Sequence, residues 1–80
     1  MPTPASPATA MSARHVLAAN LRRLRAERQM SQEDLALEAD LHRTFVAHVE
    51  RGARNISIDN IEKLAHALQV PAFELLRAEN

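Results

Sequence analysis

Eighty residues with no cysteine, one glycine and two phenylalanines as the sole aromatics exclude a disulfide scaffold, a thiolate metal site and an aromatic-rich β-sandwich. A formal net charge of zero excludes a uniformly basic chain drawn to an anionic partner by its overall field. A domain this small buries only about 60% of the surface its unfolded chain exposes, so it needs an efficient core or a partner.

Neutrality hides segregation. Residues 1–30 carry five arginines against one glutamate, and residues 31–40 carry four acids and no base. Residues 41–57 set Arg43, Arg51 and Arg54 against Glu50, and acids outnumber bases again in 58–80. Such a distribution fits either one basic face or ordinary helix-surface charge.

Residues 1–13, with three prolines in the first seven, read as a disordered tail ahead of a single domain over 14–80, and Met11 offers an alternative start. The tail has neither the basic start nor the long apolar run of a secretory signal, and no segment reads as a membrane span. Absence of cysteine fits a reducing, cytoplasmic setting. Leu17, Leu21 and Leu24 then place one apolar stripe on a first helix over 14–28. Ser31 with Asp34 three residues on reads as a cap opening a short second helix over Gln32–Ala39, lined inside by Leu35, Ala36 and Ala39. Asp40 stands at the sharp turn that follows, where aspartate tolerates the left-handed conformation.

A third helix is expected over His42–Arg51, ended by Gly52, and Ser57 caps a fourth carrying Ile61, Leu64, Ala65 and Leu68. Pro71 opens a last helix over Ala72–Arg77. The expected fold is all-α, a compact five-helix domain. Two short helices joined by a tight turn, the second and third, have helix-turn-helix spacing. On the third, Arg43, Thr44, Ala47 and His48 share one face while Phe45, Val46 and Val49 share the other. The polar face offers groups able to read base edges, and equally fits a solvated helix surface.

The run Ser31-Gln32-Glu33-Asp34-Leu35-Ala36, then Leu41 to Gly52 and Ile56 to Leu68, resembles the Cro/C1-type, xenobiotic-response-element family of regulators. Leu41-His42-Arg43-Thr44-Phe45 also resembles the controller proteins of restriction–modification systems. The resemblance implies a repressor-like, sequence-specific transcriptional regulator that binds double-stranded DNA. It places the third helix in the major groove, with Arg43, Thr44 and His48 facing bases and Ala47 close by. Gln32 would hold a phosphate and brace the recognition helix, while His42, Arg51, Arg54 and Asn55 would lie near flanking phosphates. Glu50, at the edge of the apolar face, would pair with Arg25. Asp40 departs from the glycine or asparagine common in that turn.

Electrostatic neutrality leaves one subunit with a modest hold on DNA, so a homodimer on a two-fold operator is expected. Its surface is expected around Leu68, Val70 and Leu75, with Phe73 and Leu76 closing the core. The four histidines lack metal-ligand spacing, and no cofactor motif, nucleophile arrangement or carboxylate pair is found, so no enzyme is expected. The alternative is an antitoxin-like module that masks a protein partner.

Overall fold

Three serines decide where three of the helices begin. In the computed structural model, which describes residues 12–78, Ser12 opens α1 (Ala13–Glu27), its Oγ accepting the His15 N–H at 3.2 Å. Ser31 opens α2 (Gln32–Ala39) through a reciprocal box: its hydroxyl accepts from the Asp34 N–H at 2.9 Å, and the Asp34 carboxylate accepts from the Ser31 N–H at 3.0 Å. Ser57 opens α4 (Ile58–Leu68), accepting from the Asn60 N–H at 3.1 Å. Only α3 (Arg43–Glu50) starts without a side-chain cap, after His42. Of the expected tail, residues 1–11 lie outside the described residues; Ser12 and Ala13 belong to the start of α1.

The four helices end alike. Gln29, Asp40, Gly52 and Gln69 each turn left-handed, with φ between 57° and 70°. At Gly52 the amide bonds Val49 O at 2.9 Å and the next amide, Ala53, bonds His48 O at 2.9 Å. The same paired bonds recur after the other three helices. Three of these four positions hold a side chain where Cβ crowds the backbone, at roughly 1–2 kcal/mol each.

The core forms where the apolar stripes meet: Leu17 and Leu21 of α1, Leu35 of α2, Val46 and Val49 of α3, and Leu64 and Leu68 of α4 are all buried. α2 packs against both α3 and α4, and α1 packs against α3. α3 is therefore held from behind by two helices, and its opposite face is left open.

The expected fifth α-helix is instead a single 3-10 segment, Ala72–Leu76, so the described residues form four α-helices and one 3-10 turn. Asn20, buried on the apolar stripe of α1, stops the segment from continuing. Its Nδ2 donates to the carbonyls of Glu74, Leu75 and Arg77 at 3.2, 2.8 and 3.0 Å, capturing groups that a continuing helix would need. The three-residue period then sorts the side chains differently from an α-helix. Ala72 and Leu75 turn inward, whereas Phe73 and Leu76 turn outward together, at 67% and 43% exposure. This reverses the expected roles: Leu75 and Leu68 are shut inside the monomer, Val70 is half-buried, and the outward pair is Phe73 and Leu76. Among the described residues, no helix is long and apolar enough to cross a membrane.

The left-handed positions predict opposite effects of exchanging glycine. At Gly52 an added Cβ would sit 3.1 Å from His15 Cδ2 in a backbone that disfavours it, so Gly52→Ala should destabilise by about 1–2 kcal/mol. Gln69→Gly should stabilise by about 0.5–1 kcal/mol, raising Tm by a few degrees. Thermal unfolding of both variants beside the wild type checks the pair; equal shifts of one sign would contradict it.

Candidate nucleic-acid interface

α3 is only eight residues long and could not persist alone in water. Its alternation of faces anchors it. Val46 and Val49 are fully buried and Phe45 half-buried against the core, so Arg43 and Thr44 are turned to solvent with Ala47 and His48 partly exposed beside them. A guanidinium, a hydroxyl with its methyl, a second methyl and an imidazole thus lie on one open surface.

What sets the angle of that surface is Glu50, the last residue of α3, whose side chain is 2% exposed. Arg25 of α1 grips it with two bonds, Nε to Oε2 at 2.8 Å and Nη2 to Oε1 at 3.0 Å. Gln32, the first residue of α2, donates its Nε2 to the same Oε1 at 3.0 Å. Arg22 donates to the backbone carbonyl of Glu50, and Arg25 Nη1 reaches the Met30 carbonyl in the α1–α2 turn at 2.8 Å. One carboxylate therefore ties α1, α2 and α3 together. The hydrogen bonds and negative charge of Glu50 raise the Arg25 pKa against the lowering effect of partial burial. A raised arginine pKa gives stability that is complete below the unfolded value and is lost only at strongly alkaline pH, so the arginine brings no pH dependence near neutrality.

The remaining sequence-derived candidates flank α3 along the chain. His42 is exposed at the start of α3, and Arg51, Arg54 and Asn55 are exposed in the loop that follows it. Arg54 does not dangle: its guanidinium carbon lies 5.6 Å from the centroid of the Phe45 ring. Asn55 Oδ1 accepts a hydrogen bond from the Arg14 guanidinium at the start of α1. Among the described residues, no carboxylate pairs with Arg14, Arg43, Arg51 or Arg54, so these four charges face solvent uncompensated. No group of three or more His, Asp or Glu able to hold a metal occurs among the described residues.

Sequence reasoning missed Arg14, Arg22, Asn20 and the partnership of Phe45 with Arg54. Only Asn20 carried a signal, as a lone polar residue on the Leu17–Leu24 stripe. The others depend on contacts across 9 to 41 positions that no local pattern records.

Comparison with known proteins identifies the fold and family. The helix-turn-helix family model matches residues 21–75. The control protein C.BamHI of Bacillus amyloliquefaciens is 60% identical over 47 residues, 59% of this chain and 58% of that protein. A hypothetical transcription factor of Neisseria meningitidis is 51% identical over 63 residues, 79% of this chain and 59% of that protein. Its crystal structure superposes with a TM-score of 0.82, at 48% identity, over 84% of this chain and 77% of that one. The restriction–modification controller protein C.AhdI of Aeromonas hydrophila superposes with a TM-score of 0.75, at 45% identity, over 78% of this chain and 94% of that one. The matched stretch thus spans less than two thirds of the Bacillus and Neisseria proteins as full sequences.

Breaking the Glu50 cluster tests its energetic weight. Glu50→Ala or Arg25→Ala alone should cost about 3 kcal/mol, because each strands a buried or half-buried partner. The double variant should fall short of the sum by about 1–3 kcal/mol. Urea unfolding of the four proteins measures this, and simple additivity would show that the pair is not coupled.

Proposed function

Because the chain belongs to the helix-turn-helix family of DNA-binding transcription regulators, we propose that it occupies a two-fold operator as a homodimer with α3 in the major groove. The observation that carries this reading is the open face of α3, held at a set angle by the Glu50 cluster and backed by buried Val46 and Val49. Arg43 has the fork geometry to bond guanine O6 and N7. The methyl groups of Thr44 and Ala47 suit the thymine methyl, and His48 completes the reading set.

His42, Arg51, Arg54 and Asn55 position the helix through phosphates. Gln32 keeps one amide N–H after bonding Glu50, which it offers to the sugar–phosphate backbone at the start of α2. Dimerisation places two such helices one DNA turn apart, about 34 Å, and supplies the affinity that a neutral monomer lacks. The outward pair Phe73 and Leu76, beside half-buried Val70, is the apolar surface we assign to the dimer contact in place of buried Leu68 and Leu75. The similarity to restriction–modification controller proteins supports this reading over an antitoxin-like masking role.

Selection of bound duplexes from a random pool should enrich an inverted repeat with the wild-type protein, and Arg43→Ala should relax one position in each half-site at a cost of about 1–3 kcal/mol per contact. No enrichment at low salt would refute the reading. Sedimentation should find the wild type dimeric and Phe73→Glu largely monomeric, with helicity intact because Phe73 lies outside the core. A dimer unchanged by that substitution would place the interface elsewhere.

A further inference from the structure

A groove lies between the start of α1 and the loop after α3, lined on its polar side by Arg14, His15, Arg54 and Asn55. Arg54 also borders the depression beside Thr44 and Phe45 at the start of α3, so it joins the groove to the base-reading face. Arg14 and Arg54 have no carboxylate partner among the described residues. Arg54 is held over Phe45, and Arg14 is held to Asn55.

The Arg14 bond has a chemical consequence for Asn55. An asparagine amide presents an acceptor and a donor, and a phosphate oxygen accepts but cannot donate. With Oδ1 occupied by the Arg14 guanidinium, the Asn55 NH2 is the end left available. The same guanidinium has five N–H donors and spends one on this bond, leaving the rest for an anion. Two fixed cations and one oriented donor thus border a single groove.

We infer that Arg14, Asn55 and Arg54 form one phosphodiester clamp, so that the DNA contact runs beyond α3 and its loop onto the first turn of α1, with Arg14 as a direct phosphate ligand. This rests on the DNA-binding reading above and adds to it a residue on a different helix. The clamp reads no bases, so it tightens specific and non-specific binding alike.

The test is the salt dependence of duplex binding by the full chain, on the selected operator and on unrelated DNA, for wild type, Arg14→Gln and Arg14→Lys. Glutamine can still donate to Asn55 but carries no charge; lysine keeps the charge. Arg14→Gln should lower the slope of log K against log salt by about 0.9 per subunit and weaken binding roughly tenfold or more at 0.1 M salt on both DNAs. Arg14→Lys should keep the wild-type slope, and thermal unfolding should be near wild type for both. Weakened binding with an unchanged slope in Arg14→Gln would mean that Arg14 only orients Asn55, which overturns the clamp. An unchanged affinity and slope would overturn it too, while leaving the operator reading standing. A wild type that binds no duplex at low salt would overturn both.

Discussion

The carboxylate of Glu50 is the point on which the orientation of α3 depends. It is taken out of water at the end of the helix, and its oxygens are met by Arg25 from α1 and Gln32 from α2. In energy, such a buried pair gains little over well-packed apolar side chains, since desolvation offsets most of the Coulomb attraction. Its value is directional. Valines can slide against a leucine core, but a bidentate guanidinium fork accepts one geometry. The eight-residue helix is thereby clamped at its end, and the side chains of its open face inherit that rigidity.

The other end of α3 is held differently. His42 provides no side-chain cap, and the helix relies on Phe45 and Val46 packing inward. Phe45 serves twice, because its ring also supports the Arg54 guanidinium from the loop beyond the helix. The loop itself leaves α3 through Gly52, whose missing Cβ makes room for the His15 ring. A glycine is needed there for two reasons at once, a left-handed backbone and a close neighbour, while Gln29, Asp40 and Gln69 meet only the first. That distinction explains why the single glycine of the chain stands at this position.

A net charge of zero is compatible with an anionic partner because the charges are sorted by element. The acids of 31–40 are carried by α2 and the turn after it, where Asp34 is occupied as a cap and Glu33 lies favourably near the helix's positive end. Among the described residues, four of the basic groups without carboxylate partners, Arg14, Arg43, Arg51 and Arg54, lie on α3, the loop after it and the first turn of α1, while Arg22, Arg28 and Lys63 lie elsewhere. Sorting of this kind creates a local field where the whole molecule has none.

Helix existence, helix order and most boundaries were legible in the sequence, because serine caps, left-handed turn residues and a 3.6-residue apolar period act within a few positions of one another. Gln32–Ala39 is read directly from Ser31, Asp34 and the turn at Asp40. The division of α3 into an inward and an outward face is legible for the same reason. The last element was not. Whether residues 72–76 coil as an α-helix or a 3-10 turn is not marked locally, and the carbonyls at the end of the segment are taken by Asn20, more than fifty positions away. That choice changes the period from 3.6 to 3.0 and exchanges Leu75 for Phe73 and Leu76 at the surface. The joining of Arg14 to Asn55 and of Arg22 to the end of α3 likewise exists only once the helices are packed. Local sequence thus determined which segments are helical and which of their faces are apolar. Tertiary packing alone decided which polar groups meet, because a hydrogen bond between distant residues leaves no periodic trace along the chain.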